Sequence, residues 1–305
     1  MAATLRTYLE LVRFSHTIFA LPFAIMAVLI AIASGDSPVG AADTAALSWL
    51  KSLVGILVCM VTARTAAMAF NRLVDRTIDA ANPRTASRHL PRGAVGTAEV
   101  LGLVVASCAA FIAATLLFLP NWLPVALSVP VLAWLLGYSY AKRFTMLAHV
   151  WLGIALGLAP VAAWIALRGE ELLQNPADIL PAAILGLAVT VWVAGFDTIY
   201  ACQDAQFDAA NGLQSIPARL GVPRALSLAA SLHGLTLLLL ALLPLAVPQL
   251  GAIYWLALAA ITALLVWEHS IVRPDDLSRV NEAFFSVNAI IGVVLLAAIA
   301  ADLWW

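Results

Sequence analysis

A chain of 305 residues in which 63% are hydrophobic, 11% are charged and the formal net charge is −1, with a mean hydropathy of +0.98, lies far outside the balance of a water-soluble globular protein. The bilayer is its expected solvent. The small net charge says little about partners and no nucleic acid is expected among them, while Cys59, Cys108 and Cys202 stand singly, without paired metal spacing, as expected of reduced structural thiols.

A membrane-spanning helix needs roughly 20 apolar residues. Nine runs approach that length, at about 15–34, 50–70, 98–119, 122–140, 147–167, 179–199, 223–246, 251–271 and 281–303. A soluble bundle would show polar faces at the helical period, and stretches such as Leu237 to Leu245 show none. The first run follows Arg6 and Arg13, as a cleaved signal peptide would, but Glu10 interrupts the basic region and eight more runs follow. It is therefore read as the first helix of a single transmembrane domain covering 1–305. Pro124, Pro130, Pro160 and Pro181 fall in or beside the runs and are expected to kink helices. Trp49, Trp122, Trp304 and Trp305 near the ends fit an aromatic belt. His89, His149, His233 and His269 are dispersed without ligand spacing and read as loop or packing residues, and the turn-like segment Arg273 to Asp276 is assigned no chemistry.

Basic residues concentrate in short cytoplasmic loops. With nine spans, one side collects Arg6, Arg13, Arg64, Arg72, Arg76, Arg84, Arg88, Arg92, Lys142, Arg143, Arg219, Arg224, Arg273 and Arg279. The other side keeps only Lys51 and Arg168. This asymmetry predicts a cytoplasmic N-terminus and an external C-terminus, in what is expected to be a bacterial inner membrane.

Two polar segments interrupt the apolar background. The first runs from Asn71 through Asp75 and Asp79 to Asn82, the second from Asp197 through Tyr200, Asp204 and Asp208 to Asn211, and both contain the string D-x-x-x-D-A-A-N. Carboxylates four residues apart share one helix face, one turn apart. One segment ends the second run and the other ends the sixth, which predicts two four-helix halves of like design plus a ninth helix, a weak internal repeat.

Like charges at this spacing destabilise a helix, and ionisable groups at a span's centre cost about 2.5–3.5 kcal/mol each on insertion scales, so something must compensate. Paired hard oxygen ligands suit Mg²⁺, which takes one or two carboxylates and completes its shell with water and substrate phosphates. Two such pairs facing across a cavity are expected to hold metals that bridge to one diphosphate. They would neutralise the leaving group as an allylic carbocation forms in a dry bundle. Arg88, Lys142 and Arg143 fit the same anion, and an isoprenoid tail enters such a bundle directly from lipid. Taken singly, each Asp or Arg at a helix end reads as a solvated terminus. The shared string at corresponding helices is what favours the chemistry.

In these residues the chain resembles the UbiA superfamily of intramembrane prenyltransferases. The resemblance covers nearly the whole chain and rests on Asn71-x-x-x-Asp75-x-x-x-Asp79, on Asn82-Pro-Arg-Thr85 with Arg88-x-Leu-Pro91-x-Gly93, on Tyr138-Ser-Tyr-Ala-Lys142-Arg143-Phe-Thr145, and on Tyr200-x-x-x-Asp204-x-x-x-Asp208 followed by Gly212-x-x-Ser215. It implies an all-α bundle of nine transmembrane helices, dependence on Mg²⁺, and transfer of a polyprenyl group from its diphosphate, usually to an aromatic ring. It implies metal ligation by Asp75, Asp79, Asp204 and Asp208. Asn71 would stand one turn before the first pair, with Arg64 two turns further back on the same stripe, and Arg88 and Lys142 would grip the diphosphate. Tyr200 and Asp197 would lie deeper, where the reacting carbon meets the acceptor. Asp197 is the base candidate, with a simple ion pair to Arg64 as its alternative role.

The segment from Arg13 through His16 to Pro22 bears on the acceptor. In the resembling family the first helix lines the acceptor pocket, so Arg13 is expected to pair with a carboxylate, with His16 assisting. The string H-T-I-F-A-L-P-F-A is similar to the branch of 4-hydroxybenzoate prenyltransferases and to relatives using a naphthoate in a menaquinone route. The expectation is transfer to a hydroxylated aromatic acid, first 4-hydroxybenzoate, in quinone synthesis. Transfer to a non-aromatic lipid and an ion-coupled transporter are the alternatives. Acidic groups at cytoplasmic helix ends rather than at the midplane argue against the transporter.

Overall fold

The computed structural model describes residues 5–12, 20–34 and 42–305. Among them all regular structure is helical, apart from one bridge between Arg273 and Asp276 that closes a turn. Eight segments are long and apolar enough to cross a membrane: Leu50–Val74, Thr97–Phe118, Leu123–Ala141, Ala148–Gln174, Pro176–Ala210, Val222–Ala246, Ala252–Ile271 and Val280–Trp304. They match eight of the nine apolar runs. The first run contains the shorter helix Leu21–Ala33, of 13 residues, and its residues 15–19 lie outside the described ones. Large side chains stand bare on these helices, with Leu245 80%, Leu256 71% and Val266 66% exposed. A soluble protein would have to cover such a surface. Lipid leaves it uncovered at no cost.

The chain forms two compact units, one of residues 1–17 with 39–140 and the other of 18–38 with 141–305. The smaller unit contains α1 (Leu5–Leu11), α3 (Ala42–Val74), α4 (Arg76–Ala81), α5 (Thr97–Thr115) and α6 (Leu123–Ala141). Here α3 packs along α5. Leu11 and Val12 at the end of α1 are buried with Ala69, Leu90, Val95, Val100 and Val104. This core anchors the polar segment that follows α3. The α5 helix begins where Glu99 turns back to accept the Gly96 N–H at 3.1 Å, satisfying an otherwise orphaned donor.

The larger unit contains α2 (Leu21–Ala33), α7 (Ala148–Gln174), α8 (Leu180–Ala201), α9 (Ala205–Ala210), α10 (Ile216–Leu220), α11 (Val222–Ala246), α12 (Ala252–Ile271), α13 (Val280–Glu282) and α14 (Asn288–Trp304). Its tightest seam joins α7 to α8. A Cβ built on Gly153 would stand 2.1 Å from the Thr190 carbonyl oxygen, and one on Gly157 would stand 2.4 Å from that of Gly186. Only glycine permits this approach, and close backbone packing drives helix association where lipid removes the hydrophobic drive. Beyond the seam, Arg168 leaves helical geometry at φ −124°, ψ 24°. Its guanidinium grips Asp178 through three bonds of 2.7–3.1 Å, and Trp164 donates to the same carboxylate at 2.8 Å.

Two sequence expectations change here. The first apolar helix, α2, belongs to the larger unit, where it packs on α7, α8 and α14 through buried Phe23, Met26, Ala27 and Ile30. Compactness therefore does not divide the chain by order into two four-helix halves and a ninth helix, because the face of α2 is buried by helices far along the sequence. The prolines also differ in effect. Pro130 and Pro160 lie inside helices, whereas Pro181 occupies the first turn of α8, where a missing N–H is harmless. The charged turn stays local: Arg273 and Asp276 exchange backbone bonds of 3.1 Å, and hydrogen bonds from Ser278 hold the Asp276 carboxyl below the ordinary carboxylate range.

Candidate functional site

In the smaller unit, α3 does not run unbroken through the first acidic segment. It ends at Val74, and Asp75 sits at φ −90°, ψ 5° as the N-cap of α4. Asp is a poor helix interior residue and a good boundary residue. The Asp79 amide still donates to the Asp75 carbonyl at 2.7 Å, so the carboxylates keep their one-turn spacing across the break. Both are buried, at 3% and 4% exposure, although each is a charge. Asn71 donates to Asp75 Oδ2 at 3.0 Å. Arg88 donates to Asp79 Oδ1 at 2.7 Å. Arg72, itself buried, reaches the Leu11 carbonyl at 3.4 Å and stands 3.9 Å from Asp79 Oδ2. The following turn delivers Arg88. Asn82 accepts the Arg84 N–H at 2.9 Å, and the Thr85 hydroxyl donates to the Asp79 carbonyl at 2.9 Å.

The second segment, in the larger unit, repeats the break. α8 passes into a tight turn at Cys202–Asp204, and Asp204 caps α9 at φ −103°, ψ 4°, close to the angles of Asp75. Asp208 is buried and meets the Ser215 side chain and the charge of Lys142. A loop contact explains the lysine. The Gln214 amide donates to the Lys142 carbonyl at 2.6 Å, and Gly212 at φ 69° makes the turn that allows it. Arg143, beside Lys142, is exposed. One turn before Asp204, Tyr200 lies against Phe284 with ring centroids 4.4 Å apart.

The sequence expectation of one continuous helical face under each pair is thus corrected to a break at the first aspartate of each. The structure brings Asn71, Asp75, Asp79 and Arg88 together in one unit, and Lys142, Asp204 and Asp208 in the other. Arg64 lies on α3 nearly two turns before Asn71 and is half-buried. Arg13 and His16 lie outside the described residues.

Three participants were not singled out from sequence. In sequence Arg72 reads only as a basic charge near the helix end, although its spacing of seven from Asp79 puts it two turns away on a related face. Ser215 appeared only as a motif position. His149 was read as packing, yet its Nδ1 lies 2.7 Å from Asp197 Oδ2 and its Nε2 accepts the Ile216 N–H at 3.3 Å. No local spacing signals a pair 48 residues apart.

The donor chemistry fits a hard divalent cation. Asp79 Oδ2 is buried and receives no hydrogen bond, the kind of atom a cation satisfies. No metal-holding group of three or more His, Cys, Asp or Glu occurs among the described residues. The carboxylates therefore offer pairs, leaving further coordination to water and substrate oxygens.

Known proteins supply the context. A family profile described as the UbiA prenyltransferase family matches residues 20–290. The 4-hydroxybenzoate octaprenyltransferase of Chromohalobacter salexigens is 33% identical over 245 residues, covering 79% of this chain and 77% of that protein. The mitochondrial 4-hydroxybenzoate polyprenyltransferase of Caenorhabditis elegans is 32% identical over 239 residues, 78% of this chain, which spans 64% of that relative's length. Among solved structures, the apo form of a UbiA homolog from Aeropyrum pernix K1 is 34% identical with a TM-score of 0.79, covering 94% of this chain and 98% of that one. A UbiA homolog from Archaeoglobus fulgidus bound to DMAPP and Mg²⁺ shares the fold with a TM-score of 0.67 at 19% identity, over 97% and 99% of the two chains.

Proposed function

The chain belongs to the UbiA prenyltransferase family and is a polyprenyltransferase, and from that premise we propose that it transfers a polyprenyl group from its diphosphate to the ring of a hydroxylated aromatic acid, 4-hydroxybenzoate first, with Mg²⁺ held by Asp75, Asp79, Asp204 and Asp208. The observation that carries this reading is the recurrence of one construction: a first aspartate capping a short helix at nearly the same backbone angles, and a second, buried, one turn later. A duplicated acidic turn suits a substrate with two phosphates better than it suits two independent structural caps.

Bound Mg²⁺ would supply charge neutralisation of the departing diphosphate. The chain's own groups do the rest. Arg88, Lys142 and Arg143 bind the phosphate oxygens, Asn71 stands against the first pair and Arg64 faces the substrate cavity, and apolar helices exclude water from the allylic cation. Tyr200 borders the reacting carbon. As the carbon–oxygen bond breaks, its electron pair leaves with the diphosphate, and the ring carbon beside the phenolic oxygen supplies the pair for the new bond. Asp197 takes the proton that this carbon then loses. Arg13 and His16 receive the acceptor's carboxylate. The 14-to-2 division of basic residues favours nine spans in one transmembrane domain, with acidic segments and N-terminus cytoplasmic and the C-terminus outside, in a bacterial inner membrane.

The test is purified protein with Mg²⁺ and a labelled polyprenyl diphosphate, given 4-hydroxybenzoate and a hydroxynaphthoate in separate reactions. Product with 4-hydroxybenzoate is expected. Product with the naphthoate alone would move the acceptor to a menaquinone route, and product with neither would remove the aromatic acceptor.

A further inference from the structure

His149 opens α7 on the face that carries Gly153 one turn later. Its side chain is only 7% exposed and that of Asp197, on α8, 18%. The seam of Gly153 against Thr190 and Gly157 against Gly186 locks the two helices, so the 2.7 Å contact between His149 Nδ1 and Asp197 Oδ2 joins two rigid elements. The tautomer follows from the other nitrogen. A backbone N–H can only donate, so the Ile216 amide, 3.3 Å from Nε2, makes Nε2 the acceptor and leaves the proton on Nδ1. Asp197 Oδ2 is then occupied as a hydrogen-bond acceptor, and Oδ1 is the oxygen left to receive a proton. Ile216 directly follows Ser215, whose side chain meets Asp208. One imidazole therefore connects the base candidate to the loop that seats the second acidic pair.

We propose that His149 is a positioning residue for the transfer step, which fixes the Asp197 carboxylate relative to the loop 211–215 so that Oδ1 meets the acceptor ring as the new bond forms. This rests on the reading of Asp197 as the base. In the step itself the ring carbon bonds to the allylic carbon, the diphosphate keeps the electron pair of the broken bond, and the ring proton passes to Asp197 Oδ1. His149 neither gains nor loses a proton. Its role is orientation, and a misaligned base slows chemistry without weakening diphosphate binding.

The measurement is steady-state kinetics of His149→Leu, His149→Gln and Asp197→Asn, with KM for the prenyl diphosphate and kcat for aromatic prenylation taken separately, alongside thermal stability in detergent. An amide carries a donor and an acceptor at nearly the separation of the two ring nitrogens, so Gln restores both bonds and Leu neither. The expected result for His149→Leu is a fall in kcat of about 10–100-fold with KM for the diphosphate within about twofold, and His149→Gln within about fivefold of the parent. Where the Leu variant does not fold, His149→Glu replaces it: Glu keeps the acceptor for Ile216 but sets a second carboxylate against Asp197, so it should be slow where its isostere Gln is active. Parental kcat in a folded Leu or Glu variant, or equal losses in Gln and its partner variant, would overturn the inference. Parental kcat in Asp197→Asn would instead overturn the reading of the base on which it rests.

Discussion

In the first acidic segment the protein answers carboxylates with guanidinium: Arg88 is bonded to Asp79 at 2.7 Å and Arg72 stands 3.9 Å away. In the second, Asp208 is met by a hydroxyl from Ser215 and the single ammonium of Lys142. Yet the two backbones are nearly alike, with Asp75 at φ −90°, ψ 5° and Asp204 at φ −103°, ψ 4°. The same turn is thus built twice with different partners. Two arginines offset two aspartates in the first. In the second, a hydroxyl and an ammonium meet Asp208. The first segment should therefore exchange its arginines between aspartate and phosphate as substrate arrives.

Several substitutions break or sharpen that contrast. The largest effect is expected from alanine at Asp79 or Asp208, each a loss of about 10³-fold in kcat/KM, read in the prenylation assay. Next come the cations. Arg88→Ala and Lys142→Ala should each raise KM for the prenyl diphosphate about 10–100-fold through the loss of a charge-assisted bond. The Mg²⁺ dependence should separate them. Loss of Arg88 should shift the half-saturating Mg²⁺ concentration, because Asp79 loses its closest counter-charge, whereas loss of Lys142, with no bond to a carboxylate of the first pair to lose, should leave it nearer the parent's. Titrating Mg²⁺ at saturating diphosphate checks this.

Gly157→Ala tests the scaffold of the second segment alone. Its methyl would press on Gly186 and Thr190, and overpacking of this kind costs about 1–3 kcal/mol, visible as a lower melting temperature in detergent. The smallest effects belong to the supporting hydroxyls. Thr85→Ala and Ser215→Ala should each destabilise by about 1 kcal/mol, the first disturbing the Arg88 turn and the second the Asp208 loop. If Ser215→Ala were as damaging as Asp208→Ala, the hydroxyl would have to be assigned more than support.

Much of this was legible in the chain itself. Eight apolar runs became long helices because nothing but lipid can solvate a surface bearing Leu245 and Leu256 bare. The duplicated acidic string identified both turns because local sequence sets local caps. Hidden features were those made by distance. Arg72 binds Leu11 across 61 residues and His149 binds Asp197 across 48, and no periodicity encodes such pairs. The helix breaks at Asp75 and Asp204 were also missed, since a spacing of four reads equally as one continuous helix. The assignment of α2 to the larger unit was invisible for a related reason: a uniformly apolar helix carries no stripe that names its neighbours.

The central claim is that the two acidic turns act together on one Mg²⁺-bound diphosphate. It is tested most directly by equilibrium binding of a non-reactive prenyl diphosphate analogue, with and without Mg²⁺, to the parent protein and to the paired variants Asp75→Ala/Asp79→Ala and Asp204→Ala/Asp208→Ala. Mg²⁺-dependent binding should be lost in both variants while their melting temperatures stay near the parent's. Parental Mg²⁺-dependent affinity in either one would contradict a shared site.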